Sequence, residues 1–559
     1  GNDSKGCDLK STECHEEDRF PLPGRETPLL AQRILRTDAP GIMEMGSDEG
    51  NLPALSKQSW ISATVILVLL SLASKVFGFI REILVANYFG VSSDVDAFMV
   101  AVTVPTAIGG VLGASLGTSL VPAYTKMSAR NGQQSANKLC VSIISFATVV
   151  SLVLIPILYY LSETVIRFLA PSLPETTMST AIGLLKLLSV LVLGYSLYNV
   201  QTSIYNARQH FTMPAIADVL SNFFVIGSLV FLTSLIGIYA LATGLIIGVY
   251  AVVATLLIVM VRNGLFGFDF SFGTKEFKEY LMFSFPIFLY VLIPQLGGII
   301  ENYFASGLKE GSIAALGYAK RLSDVASTLM AVNIAKALFP TFSALSSEDR
   351  IGELRDLVLK LNRQIVIFFM PFSIALMYFR KEIIGMVFMR GAFGVQALEM
   401  TSNVFMFYVV GFIAYVMVAV FFRLCYAFSD SATPLKAAIV SVLFMVVGNS
   451  LLVPVLGITG IALATSLSVV VNLSILFFSV RKKLGGLGVK SLARSFYLSL
   501  LCGTVPLLPI MLLERASHLH FVLGVVLYFF VYFSLCWISM RDELRAFLAT
   551  IGTMWVKKK

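Results

Sequence analysis

The sequence predicts an all-α polytopic membrane protein with about 14 transmembrane helices, on three observations. Of 559 residues, 57% are hydrophobic and only 13% charged, against ~25% charged in a soluble domain. Long apolar segments, most near the ~20 residues that cross a bilayer, follow one another from Ser59 to Met540. Lys and Arg collect in alternate connections, the pattern of cytoplasmic loops. A net charge of +9 therefore reads as a topology signal and not as a nucleic-acid surface.

Residues 1–58 are a polar leader rich in Asp, Glu, Pro and Gly, without an apolar core of signal-peptide length, and are expected to be disordered. Cys7, Cys14 and His15 lack the paired spacing of a zinc site. Cys140, Cys425, Cys502 and Cys536 fall within apolar spans and read as small core residues. The spans are expected near 59–88, 97–125, 139–162, 179–206, 213–236, 239–261, 279–306, 313–343, 358–379, 401–428, 433–454, 458–480, 493–513 and 518–540. Basic residues follow the second, fourth, sixth, eighth and twelfth of these, and Lys557 to Lys559 end the chain, so both termini are expected inside. The ninth loop, with Arg380, Lys381 and Arg390, breaks the rule.

The chain echoes itself. Leu120-Val121-Pro122 recurs as Leu338-Phe339-Pro340, Asn87-Tyr88-Phe89 as Asn302-Tyr303-Phe304, Ala240 to Thr243 as Ala462 to Thr465, and Pro214 as Pro434, at offsets of 218, 215, 222 and 220 residues. One such match is weak, but four in order at one spacing indicate duplication. An even number of spans separates the copies, so they should be parallel and related by an axis along the membrane normal. The expected units are residues 59–270 and 271–483, two six-helix lobes, with residues 484–559 holding the last two helices and a basic tail. Paired bundles of this kind suit alternating access, in which one lobe rocks against the other around a site between them.

Ionisable groups within spans mark that site, because hydrocarbon tolerates them only when they pair or line a cavity. The first span carries Lys75, Arg81 and Glu82, the second opens on Asp94 and Asp96, and the eighth carries Lys320, Arg321, Asp324 and Lys336; Lys186 and Glu301 are further cases. Lys75 and Arg81 are six residues apart and point about 120° apart on an ideal helix, so their convergence requires a wide cavity or a kink, for which Gly78 is available. Pairing of Arg81 with Glu82 or Asp96, and of Arg321 with Asp324, is the plain structural alternative. Cations outnumber acids in the set, which suits a phosphate or pyrophosphate head group. Glu301 and Asn449 offer oxygen ligands for a coupling cation. Neither a P-loop nor a His-x-x-x-His or Glu-His pattern within a span occurs, and His518 with His520 at a span edge reads as an interfacial feature, so no cofactor, metal site or enzymatic chemistry is expected; energy would come from the membrane potential or a monovalent cation.

Ser74-Lys75-Val76-Phe77-Gly78-Phe79-Ile80-Arg81-Glu82, then Phe89-Gly90 and Asp94-Val95-Asp96-Ala97-Phe98, resembles the first-span signature of the MurJ (MviN) lipid II flippases, a branch of the multidrug/oligosaccharidyl-lipid/polysaccharide exporter superfamily. Tyr318-Ala319-Lys320-Arg321-Leu322 is similar to that family's eighth-span motif, and Tyr426 through Lys436 to its loop before the eleventh. The resemblance implies two lobes in a V around a cationic cavity, with the last two helices forming a groove for the lipid tail. It implies functional roles for Arg81, Asp96 and Arg321, with Lys75 where the family usually has Arg; joined to the reading of charges within spans, Lys75, Arg81, Arg321 and Lys320 are expected to bind substrate and Asp96, Asp324 and Glu82 to gate or pair. One departure stands out: where the family has an Arg pair in its second span, this chain has Gly109-Gly110.

The expected function is therefore translocation of an undecaprenyl-pyrophosphate-linked precursor, lipid II, across a bacterial cytoplasmic membrane. Membrane lipids are necessary partners and cell-wall synthesis enzymes candidate ones. The alternatives are a flippase for another lipid-linked glycan, such as an O-antigen or exopolysaccharide unit, and a non-transporting membrane scaffold for glycan synthesis. A cationic cavity argues against a cationic-drug exporter.

Overall fold

A computed structural model of the chain describes residues 60–208, 210, 212–262, 264–265, 267–517 and 521–541. The leader with Cys7, Cys14 and His15, the pair His518 and His520, and the basic tail lie outside these residues. Among the described residues every regular element is an α-helix. α1 (Trp60–Phe89) precedes the 68-residue α2 (Ser93–Tyr160), where the second and third expected spans run together. Their break is the single residue Gly132, at φ 80° and ψ 167°, a backbone that side chains disfavour. A polar stretch that reads as a loop is thus mostly helix.

The next elements are α3 (Ser162–Leu169), α4 (Glu175–Leu188), α5 (Leu191–Ala207), α6 (Thr212–Ile236) and α7 (Tyr239–Arg262). After them come α8 (Lys275–Ala305), α9 (Ser312–Ser347), α10 (Ile351–Tyr378), α11 (Arg380–Phe388), α12 (Val395–Val410), α13 (Phe412–Ala427), α14 (Ala432–Leu456) and α15 (Ile458–Lys483). The chain continues through α16 (Val489–Thr504), α17 (Leu507–Ser517) and α18 (Phe521–Ser539). By length and composition nine described helices can cross a membrane, or eleven segments once the bent pairs α4/α5 and α12/α13 each count as one. Division of α2 at Gly132, with α1 and α9 added as the two helices that carry most of the charged seam, matches the fourteen expected segments one for one.

The halves repeat their irregularities as well as their sequence. A short helix follows the third span (α3) and the ninth (α11), and the fourth and tenth spans are bent by 46° and 41°. In each half the last two spans pair closely, α6 with α7 and α14 with α15. Small residues allow this: Gly244 lies on Ser228, Gly448 on Ala464 and Gly460 on the Leu452 carbonyl. Gly109, Gly113 and Gly117, one turn apart, let α2 lie against the backbone and small side chains of α5 at Val192, Ser196 and Ser203. A Cβ at Gly109 would collide with Val192, whereas Gly110 has open space beside it. The glycines that stand where an Arg pair is expected are therefore, at the first position, a packing requirement.

The ninth-loop exception to the charge rule has a local cause. Arg380 donates to the Met377 carbonyl, Arg390 donates to the Met386 and Val387 carbonyls at 3.0 Å each, and Lys381 pairs with Glu399. The two arginines cap helix C-termini, where the dipole favours them. All four cysteines of the spans are buried and free, as expected.

Candidate functional site

Glu82 is the centre of the charged seam. Adjacent residues on α1 point about 100° apart, which sends Glu82 into the protein, 6% exposed, while Arg81 lies beside it. Arg81 donates to Glu82 Oε1 from Nε at 3.2 Å and from Nη2 at 2.7 Å. Arg321, on α9 in the other half, donates from Nη1 to Glu82 Oε2. One carboxylate therefore holds two guanidiniums, one oxygen each, and the cluster keeps a net positive charge. Arg81 Nη1 also donates to Asn222 Oδ1 at 3.3 Å, and Arg321 Nη2 meets Met99 Sδ at 3.5 Å. Both arginine side chains are partly exposed, 28% and 37%, so neither is sealed by its partner. A cavity of about 230 Å³ lies between Arg81, Glu82, Thr106, Tyr195 and Arg321, and one of about 210 Å³ extends from Arg81 into the first half along Tyr198, Asp218 and Asn222.

Lys320, next to Arg321, turns to a different acid. Its Nζ lies 2.7 Å from Glu301 Oε2, and Thr465 Oγ1 donates to Glu301 Oε1 at 2.9 Å. Asn449 is completely buried on α14, and neither its amide oxygen nor its nitrogen has a partner among the described residues. α14 packs against both α8, which carries Glu301, and α15, which carries Thr465. A carboxylate and a hydroxyl bonded to each other, and an orphan amide, thus stand on three touching helices.

Asp96 takes neither arginine. Its Oδ2 accepts from Gly311 N–H and its Oδ1 from Ala314 N–H, both at 2.7 Å, so a carboxylate on α2 caps the N-terminus of α9. Around it the halves touch through backbone. Tyr318 OH donates to the Gly90 carbonyl at 3.0 Å, and Ala392 N–H to the Asn87 carbonyl at 2.9 Å. Gly90, Gly311 and Gly391, all at positive φ, leave no room for a Cβ against Ala392, Val91 and Asn87.

The seam departs from expectation in several ways. Lys75 is exposed and does not join Arg81: α1 is helical from Trp60 to Phe89, and Gly78, available for a kink, packs on Asn222 instead. Arg321 pairs across to Glu82 and not to Asp324, which is exposed and joins none of the described ion pairs. Arg81 pairs with Glu82 and not with Asp96. Lys186 stands over the Tyr159 ring, 5.6 Å from its centre, away from the cluster, and the side chain of Lys336 lies outside the described residues. Sequence reading passes over Tyr198, Asp218 and Asn222. Asp218 stands near the start of its span, where an interfacial carboxylate looks the same, and only the packing of α1 on α6 brings Asn222 to Arg81.

A family model described as lipid II flippase MurJ matches residues 85–533, most of the chain. The chain belongs to the MurJ family. Relatives named probable lipid II flippase MurJ include those of Buchnera aphidicola subsp. Acyrthosiphon pisum, 26% identical over 77% of this chain and 84% of the relative, and of Aquifex aeolicus, 27% identical over 70% and 76%. A protein named lipid II flippase MurJ from Burkholderia cenocepacia is 24% identical over 74% of this chain and 82% of its own length. A solved structure of lipid II flippase MurJ in the inward closed conformation superposes with a TM-score of 0.74 at 23% identity, covering 86% of this chain and all of the other. An inward-facing multidrug resistance MATE family transporter of the MOP superfamily has a TM-score of 0.63 at 13% identity, covering 75% and 98%. Both likenesses concern the fold. A MurJ-type helical transporter fold is thus established, and the chain is a multi-pass membrane protein.

Proposed function

We propose that this MurJ-family protein moves lipid II, an undecaprenyl-pyrophosphate-linked glycan, from the inner to the outer leaflet of a bacterial cytoplasmic membrane, with both chain termini inside. The observation that carries the site assignment is the convergence of Arg81 and Arg321, from the two halves, on the single carboxylate of Glu82. A pyrophosphate offers the same fork-shaped acceptors with more charge, and would draw both guanidiniums away from Glu82. The polyprenyl tail stays in lipid, beside the last two helices, so only the head group crosses, and the cationic cavity replaces its hydration.

Asp96 acts in this scheme as a latch. Its two bonds to the start of α9 hold the halves together at the end that the basic loops assign to the outside, and their release would accompany outward opening. Glu301, Thr465 and Asn449 supply the coupling-cation site, and Lys320 competes with the cation for Glu301. Cell-wall synthesis enzymes would receive the product on the outer face. A second reading, another lipid-linked glycan, draws support from Gly109 and Gly110, which take the place of a cationic pair.

Complementation of a strain depleted of its own lipid II flippase tests the assignment. Wild type should restore growth, and Arg81→Ala and Arg321→Ala should not, at equal membrane abundance. Rescue by both variants would refute the arginine site; no rescue by abundant wild type would favour the second reading.

A further inference from the structure

Two cavities share Arg81 and differ in chemistry. The one on the Arg321 side joins the charged cluster of Arg81, Glu82 and Arg321 to a wall that includes Val85, Phe98 and Leu241. The other, within the first half, brings Ser74, Tyr195, Tyr198, Asp218, Ser221 and Asn222 together over an apolar floor. The transport assignment makes no use of this second cavity. Its polar groups have capacity to spare. Asp218 accepts Tyr198 OH on Oδ1 at 2.5 Å, and its Oδ2 has no described partner. Among the described residues the hydroxyls of Tyr195, Ser221 and Ser74 make no hydrogen bond, and Asn222 is held by Arg81, Ser74 and the Asp218 carbonyl. These groups are half-buried beside the cavity, so a ligand or water that enters it can complete their hydrogen bonds.

We infer that this cavity receives the first sugar ring of the lipid-linked head group, and the inference rests on the assignment of the pyrophosphate to Arg81. The sugar is bonded to the distal phosphate, so a phosphate on the Arg81 guanidinium places the ring in one of the two spaces that Arg81 borders. A ring with hydroxyls on both edges and C–H groups on its faces fits the space rich in neutral hydroxyl and amide groups, whereas the polar groups of the other are the charged cluster that takes the phosphate. Asp218 Oδ2 accepts from a sugar hydroxyl, Ser221 and Tyr195 exchange hydrogen bonds with its neighbours, and the tyrosine rings cover a C–H face. A volume of about 210 Å³ is below the ~300–1,000 Å³ that encloses a drug-sized ligand. It admits one ring, so the rest of the head group stays in the space between the halves. The pocket thereby makes Asp218 a specificity-determining residue that reads the sugar and not the phosphate.

The test is binding to full-length protein in nanodiscs, with three probes: undecaprenyl pyrophosphate, the same lipid with one N-acetylated sugar, and lipid II. Wild type should bind both glycosylated lipids more tightly than the bare pyrophosphate. Asp218→Ala should remove that preference, a loss of roughly tenfold for the glycosylated lipids, with bare-pyrophosphate affinity unchanged. Asp218→Asn, which keeps an acceptor and the shape, should retain part of it and guards against simple misfolding. Equal loss for all three lipids, or no loss for any, would overturn the sugar pocket. If wild type ignores bare pyrophosphate while Asp218→Ala still weakens the glycosylated lipids, the pocket stands and the pyrophosphate assignment of the arginines falls.

Discussion

The two halves meet at two levels built from opposite materials. At one level, the outer one if the basic loops face the cytoplasm, each contact has backbone on at least one side: Asp96 on the amides of α9, Gly90 against Ala392, Gly391 against Asn87, Tyr318 on the Gly90 carbonyl. At the middle level they are long charged side chains, Arg81 and Arg321 on Glu82, each partly exposed. Backbone contacts tolerate only tenths of an ångström, so they are either made or broken. Long side chains can exchange one anion for another without a shift of the helices. The first material suits a gate and the second a binding site, and the two levels should respond differently to mutation.

The largest effect is expected at the glycines of the outer level. Gly391→Val adds a branched side chain where the Asn87 carbonyl already lies and at a φ of 52°, which costs about 1–3 kcal/mol in backbone strain alone. Transport should be abolished, and a cysteine placed at Val91 should become reactive to a membrane-impermeant thiol reagent from outside. Arg321→Ala should be nearly as damaging to transport yet leave that cysteine protected, since the outer level does not use the guanidinium. If both variants expose the cysteine, the division into gate and site fails.

Asp96→Asn comes next. It keeps one acceptor oxygen but loses the charge opposite the α9 terminus, where a hydrogen bond to a charged group contributes about 1.5–3 kcal/mol. Partial thiol exposure and a transport rate lowered roughly tenfold are expected; unchanged labelling would remove Asp96 from the gate. The smallest effect belongs to Asp430, in the connection between α13 and α14 and remote from both levels. Burial pushes its carboxyl up, but Lys483 Nζ at 2.5 Å and the Thr433 hydroxyl and amide outweigh that and hold it at about 2. Because the folded value lies below the ordinary ~3.9, its contribution to stability is fully present above pH ~4 and is lost as pH falls through about 2. The Lys483 and Asp430 side chains are 31% and 15% exposed, so Asp430→Asn should cost ~1–2 kcal/mol at neutral pH and leave transport intact. A larger loss of thermal stability would give that loop a role the ion pair does not explain.

The fold and the site were legible to different depths. Hydropathy locates the helices because the bilayer imposes a length that composition alone reveals, and the duplication carries over even to the bends in α4/α5 and α12/α13. Charge within a span selects Arg81, Glu82, Lys320 and Arg321, yet it does not assign their partners. Arg321 chooses Glu82 over Asp324, which is three residues away, because helix packing and not sequence distance sets its reach. Lys75 stands apart from Arg81 for a related reason: a kink at Gly78 is permitted by the residue but not required, and contact with Asn222 uses the same glycine. Asp96 is found as a charge but not as a helix cap, since the amides that donate to it lie 215 and 218 residues further on.

The central claim is that Arg81 and Arg321 act together on one anion, and a double-mutant cycle on lipid II affinity tests it most directly. Arg81→Ala and Arg321→Ala should each weaken binding roughly 10- to 100-fold. The double variant should be only slightly worse than either single one, a coupling of at least ~1 kcal/mol. Strictly additive losses, or unchanged affinity in either single variant, would contradict a shared pyrophosphate site.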